Sequence, residues 1–169
     1  MSAVPRRRPA THAEAAALAS AVRLRIIRLT RGRPLTNKEI SERLGKDPAT
    51  TLYHVRKLVD TGFLEALPVR AGVRGAREIP YRSTGLSWQL DDAGMEEGTQ
   101  QAMLEAFLGE VADAGVRNLE ASRLVLQLDA QGLAELRSRL YGLLDEFSAR
   151  PFDPDGQRIG LYLALYPGE

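Results

Sequence analysis

The chain has 169 residues, a formal net charge of +1 and no cysteine. That length suits one domain or two small ones, and the missing cysteines exclude disulfides, thiolate metal sites and cysteine nucleophiles. No apolar run reaches the ~18 residues that a membrane-spanning helix needs.

The near-neutral total conceals a division. Residues 1–85 hold 17 Lys+Arg against 7 Asp+Glu, a net of +10, and residues 86–169 hold 6 against 15, a net of −9. Such asymmetry points the basic half toward nucleic acid or a membrane surface.

In chain order, residues 1–11 place Arg6, Arg7 and Arg8 between prolines and are expected to be a disordered basic arm. Such a stretch is either a solvated tail or an arm laid in a minor groove. His12 to Arg31 reads as one amphipathic helix: Leu18, Val22, Leu24, Ile26, Ile27 and Leu29 form its apolar face, and Arg23, Arg25 and Arg28 its wet one. The RRR and AEAAALASA segments loosely mimic a secretory signal. Glu14 interrupts the apolar part, however, and the three arginines follow at once, which fits the amphipathic helix instead.

Thr36 to Gly45 predicts a short helix with its own start and stop. Thr36 and Glu39 have the spacing of a capping box, Ile40 and Leu44 share a face, and Gly45 supplies the left-handed stop. A second helix opens two residues later, with Asp47 as cap and Pro48 at the first position. Thr51, Leu52, Val55, Leu58 and Val59 cluster on the face expected to be buried. Lys46, Thr50, Tyr53 and Lys57 point the other way, with Ala49, His54 and Arg56 on the flanks. No acid falls between Asp47 and Asp60. An exposed face of hydroxyls, a phenol, an imidazole and bases can bond phosphates and base edges. His54 suits a core edge, a phosphate contact or a base contact. Gly62 ends the helix.

Phe63 to Val69 and Glu78 to Ser83 read as the two strands of a hairpin. AGVRGAR lies between them, with Arg70 at its base and Arg74 and Arg77 toward its tip. Extended arginines there suit backbone phosphate or the minor groove. Two short helices, a tight turn and a basic hairpin, in that order, make a winged helix-turn-helix.

With those residues in view, TTLYHVRKLVDTGFLE resembles the recognition helix and following turn of the ArsR-like winged-helix transcriptional regulators. It is most similar to the actinobacterial-type members with a C-terminal extension, over roughly residues 15 to 90. The resemblance implies that the helix enters the major groove, that the hairpin touches the flanking groove, and that the protein is a homodimer. Metal-sensing members carry cysteine thiolates, and this chain departs from them in having none.

Residues 86–94, with the sole tryptophan Trp88, read as a linker between the basic and acidic parts, and Trp88 as a packing residue. Met95 to about Leu119 predicts a long helix. Its stripe of Leu104, Phe107, Leu108, Val111 and Gly115 suits pairing with another helix, here expected to join two chains. Arg123 to Leu128 reads as a strand. A helix capped by Asp129 follows, with the stripe Leu133, Leu136, Leu140, Leu143, Leu144 and Phe147. A last strand alternates Ile159, Leu161, Leu163 and Leu165. Strand, helix and strand suggest a small β-α-β layer that needs cover.

No G-x-S-x-G, phosphate-binding glycine loop or H-E-x-x-H is present, so no enzyme activity, cofactor or metal is expected. The pairs Asp91-Asp92, Glu96-Glu97 and Asp145-Glu146 splay apart on a helix and read as solvated faces.

The expected fold is thus α+β and mainly helical. A winged helix-turn-helix over 12–85 is followed by a dimerisation helix and a β-α-β region within an acidic part over 95–169, which has room for a small-molecule effector that no motif specifies. The expected function is a cytoplasmic, nucleoid-associated repressor that binds double-stranded DNA as a homodimer. The DNA-binding residues would be Lys46, Thr50, Tyr53, His54, Arg56, Lys57, Arg70, Arg74 and Arg77. The alternatives are a winged-helix module for protein contact and, more remotely, an enzyme with a carboxylate site in the acidic half.

Overall fold

The computed structural model describes residues 7–72, 75–91 and 97–168. Six α-helices lie among them: α1 (His12–Leu18), α2 (Ala21–Leu29), α3 (Asn37–Leu44), α4 (Pro48–Asp60), α5 (Glu97–Ala114) and α6 (Ala130–Ser148). Five short strands accompany them: β1 (Leu35–Thr36), β2 (Leu64–Ala66), β3 (Arg70–Ala71), β4 (Arg77–Glu78) and β5 (Pro80–Ser83). All strand pairing is antiparallel. One sheet has the order β1-β5-β2, and β3 pairs with β4 as a separate hairpin. The chain divides into two compact units, one running to Arg117 and one from Asn118 onward.

The first unit has a core of Leu18, Ile26, Ile27, Leu35, Ile40, Val55, Leu58, Phe63, Leu64 and Leu90. These come from six helical or strand segments, with Phe63 and Leu90 from the connections between elements, so several neighbours hold the helix-turn-helix rather than one.

The expected single helix over His12–Arg31 is two. The break falls at Ala19 and Ser20, where Ser20 leaves the helical region at φ −155° and ψ 118°. Arg23 stabilises the break: its guanidinium donates to the carbonyls of Ala16 and Ala17, acceptors that the end of α1 leaves without helical partners. An arginine expected to face solvent is therefore a cap. Thr11 and Glu14 form a capping box at the start of α1.

Residues 7–11 are ordered by specific bonds, against the expectation of a disordered arm over 1–11, whose remainder lies outside the described residues. The Arg8 N–H donates to the Gln89 carbonyl at 3.0 Å, and the Asp91 N–H donates to the Arg8 carbonyl at 2.8 Å. The Arg8 guanidinium meets both oxygens of Glu14, at 2.6 and 2.8 Å. Glu14 is buried, and these bonds outweigh its burial, holding its carboxyl down to about 2. Arg7 lies over the Trp88 ring, 4.3 Å from its centre, while the tryptophan itself stays exposed rather than packed in the core.

Residues 86–91 are not a loose linker. Leu86–Gln89 is a 3-10 turn and Leu90 is buried. The units divide beyond α5 because α5 packs on α2, with ion pairs Arg25–Asp113 and Arg28–Glu110 (3.1 Å). Small residues make that contact possible: Thr99, Ala102 and Ala106 are buried, and Gly109 lies against Arg25. At 100° per residue they fall opposite the predicted stripe, of which Leu104 and Leu108 remain exposed. The predicted helix start at Met95 and the Asp91-Asp92 and Glu96-Glu97 pairs lie partly outside the described residues.

The hairpin strands are shorter than expected, with residues 67–69 and Ile79 outside any strand. Pro68 has no N–H to give to a ladder, which interrupts pairing there.

In the second unit α6 forms as expected, and the Asp129 carboxylate accepts from the Gly132 N–H at 2.7 Å. The two strands of the expected β-α-β region do not form: residues 119–129 and 157–168 carry no regular structure. A ladder needs a covered apolar face to hold it, and no described residue from Asn118 to Gly168 is buried.

Candidate nucleic-acid interface

Local chemistry sets the angle between α3 and α4. The Thr36 hydroxyl accepts from the Glu39 N–H, and the Glu39 carboxylate accepts from the Thr36 N–H at 2.7 Å, completing the capping box. Gly45 turns the chain at φ 61°, a conformation that costs other residues energy. The Asp47 carboxylate then accepts from the N–H groups of Ala49 and Thr50, at 2.9 and 3.1 Å. Asn37 ties the two helix starts together, its amide donating to the Pro48 carbonyl at 2.9 Å. Sequence reasoning missed Asn37 and Arg23 as positioning residues, because bonds across eleven residues, or across six and seven, leave no periodic trace.

One face of α4 is anchored. Thr51, Val55 and Leu58 are fully buried, and the Thr51 hydroxyl donates to the Asp47 carbonyl. Leu52 and Val59, expected in the core, are half-buried at its edge.

The opposite face is open. Lys46, Ala49, Thr50, Tyr53 and Arg56 are exposed, Tyr53 at 65 %. Lys57 and His54 are half-buried on its flanks. Asp47 spends its charge on the cap, so three cations border a face with no competing acid between Asp47 and Asp60. The Tyr53 and His54 rings meet edge to face at 5.4 Å. Burial, then the charges of Arg23 and Lys46, push the His54 imidazole below its usual value of 6.5. It is therefore neutral at pH 7, and its Nδ1 is buried with no hydrogen-bond partner. A neutral ring can donate or accept a single bond but brings no positive charge to a phosphate.

The hairpin arginines differ from one another. Arg70 is 3.1 Å from Glu39 and 3.5 Å from Glu78, so it clamps the hairpin to the start of α3. Burial works against the Glu39 charge, yet the Thr36 bonds and Arg70 together hold its carboxyl below its usual range. Arg77 is exposed beside its cross-strand partner Ala71. Arg74 lies outside the described residues. The structure thus brings Lys46, Thr50, Tyr53, His54, Arg56 and Lys57 onto or beside one face of one helix, and places Arg70 and Arg77 on the hairpin.

A rigid helix that offers hydroxyl, phenol and cationic groups from one uncovered face is suited to a polyanion groove. The family described as "Helix-turn-helix domain" has a model that matches residues 18–65, from the end of α1 into β2. The chain therefore carries a helix-turn-helix DNA-binding domain, the class to which its geometry also points. No curated protein matches the chain. Among the described residues no helix is long and apolar enough to cross a membrane.

Proposed function

We propose that the chain is a sequence-specific transcriptional repressor of the ArsR-like winged type. It binds a pseudo-palindromic operator as a homodimer and performs no catalysis. The observation that carries this reading is the uncovered outer face of α4, with Lys46, Thr50, Tyr53 and Arg56 exposed and its one nearby carboxylate engaged in the cap. Thr50 and Tyr53 read base edges, His54 adds one neutral hydrogen bond, and Lys46, Arg56 and Lys57 meet phosphates. The β3–β4 hairpin is the wing, with Arg77 and Arg74 reaching the flanking backbone and Arg70 bracing its base against Glu39. Two copies joined through the exposed Leu104 and Leu108 face of α5 present two α4 helices to successive major grooves ~34 Å apart. Such a regulator works on the nucleoid in the cytoplasm.

Fluorescence anisotropy with tiled duplexes from the upstream region of its own gene and with random duplex, at two salt concentrations, tests this. One tightly bound tile and a steep salt dependence are expected. Equal, weak binding to every duplex would overturn the reading in favour of a protein-contact module.

A further inference from the structure

The outer hairpin is not a simple continuation of the sheet below it. β2 and β5 pair through Leu64↔Ser83, Glu65↔Arg82 and Ala66↔Tyr81, and β3 and β4 through Arg70↔Glu78 and Ala71↔Arg77. The outgoing strand takes four steps from Ala66 to Arg70, and the returning strand takes three from Glu78 to Tyr81. The Leu67 N–H still donates to the Pro80 carbonyl at 2.8 Å, so Pro68 and Val69 together stand against Ile79. One extra residue on one strand is a β-bulge, which bends and twists the hairpin. Val69 and Ile79 are 45 % and 43 % exposed, so little apolar packing holds that bend. Two strands of two residues each are also too short to hold a direction by themselves.

Arg70, the first residue past the bulge, supplies a tie. Its guanidinium is 3.1 Å from Glu39 Oε2, the same oxygen that accepts from the Thr36 N–H at 2.7 Å. Glu78 Oε2 lies 3.5 Å from the Arg70 Nε. One carboxylate oxygen thus serves both the cap of α3 and the base of the hairpin. The formal charges of this trio, two carboxylates and one guanidinium, sum to −1, so Arg70 has no positive charge left over for a phosphate.

We propose that Glu39 is a positioning residue for DNA binding: through Arg70 it fixes the angle at which the hairpin meets the duplex. The inference rests on the winged DNA-binding reading above. It adds that an acid on α3 is required for the exposed Arg77 to reach the backbone, and that Arg70 works by geometry rather than by charge.

The test is anisotropy over a salt series with the full chain, the operator tile and random duplex. Plain electrostatics and this inference predict opposite signs for Glu39→Gln. Removing an acid near a polyanion tightens binding. Loss of the tie instead weakens binding to both duplexes and lowers the salt slope by about 1, the share of one phosphate contact. Glutamine still closes the capping box, and ion pairs this exposed add little to stability, so melting should match the wild type. Arg70→Lys keeps the charge but replaces a planar fork by a point donor. It should lose the same slope, whereas a residue that contacts phosphate by charge would keep it. Arg77→Ala should lower the slope by about 1 in the wild type and leave it unchanged in the Glu39→Gln background. The ratio of operator to random affinity should hold throughout, because α4 is untouched. Tighter binding by Glu39→Gln, an unchanged slope in Arg70→Lys, or an Arg77→Ala effect that adds in full overturns the inference and leaves the DNA-binding reading standing. A wild type with no salt-dependent duplex binding overturns both.

Discussion

Helices α4 and α6 both carry a regular apolar stripe, yet only α4 buries it. Thr51, Val55 and Leu58 of α4 are fully buried, beneath Ile40 of α3, Ile26 of α2 and Phe63 of the turn that follows. On α6, Leu133, Leu136, Leu140 and Leu144 are half-buried, and Leu143 and Phe147 are exposed. An amphipathic period states which side of a helix wants cover; it does not supply the cover. In the first unit the cover lies within the unit, whereas no described residue of the second unit is buried.

The sharpest way to break this contrast is to truncate one stripe residue on each helix. Leu58→Ala should lower the stability of the first unit by about 3 kcal/mol, as a buried leucine leaving a cavity does. Leu143→Ala should change it by no more than about 0.5 kcal/mol, as expected for a surface position. Urea titration followed by Trp88 fluorescence measures both. Equal effects would mean that the two units share one core.

The outer face of α4 comes next. Thr50→Ala should narrow the free-energy gap between operator and random duplex by about 1–2 kcal/mol. Arg77→Ala should weaken binding to every duplex alike and lower the salt slope by about 1. Anisotropy over a salt series separates the two effects. An unchanged operator preference in Thr50→Ala would remove that residue from base reading.

Two smaller effects depend on pH. The Glu14 carboxyl is held down to about 2, below its usual 4.5, so its contribution is complete above pH 4.5 and is lost as the pH falls toward 2. Glu14→Gln should flatten that acid limb and cost about 1 kcal/mol at pH 7, chiefly through the lost charge on its bonds with Arg8, since Gln can still close the capping box. His54 has the smallest effect. It is neutral in both states above pH 6.5, and below that the unfolded chain takes up its proton more readily than the folded one. Stability should therefore slip as the pH falls below 6.5, and His54→Gln should remove that slope in denaturant titrations across pH 5–7.

The helix-turn-helix was legible because its signals are local. A capping box at Thr36 and Glu39, a left-handed glycine and an Asp47-Pro48 start each act within a few residues, and all are present in the structure. The break at Ala19–Ser20 was not legible. It depends on Arg23 reaching back six and seven residues to carbonyls that become free only once the helix has ended. The role of Arg70 was equally hidden, because its partner Glu39 is 31 residues away. On α5 the stripe of large side chains drew the eye, whereas the face that packs on α2 is built from Thr99, Ala102, Ala106 and Gly109. Hydrophobic period weights size, and close helix contact selects for the lack of it. In the second unit the apolar alternation predicts strands that do not form, because alternation marks a face and no described residue of that unit is buried to hold a ladder.

The bridge between Arg8 and the segment at Gln89–Asp91 makes the start of the first unit a buckle fastened onto the far end of the helix-turn-helix and its hairpin. Deletion through Thr11 would remove the tongue, the Arg8–Glu14 ion pair and the α1 capping box in one cut. The loosened α1 would then carry its disturbance into α5, against which it packs. The amides of Arg8 and Asp91 are thus natural reporters of whether the strap is fastened, and their hydrogen exchange should be slow together and quicken together.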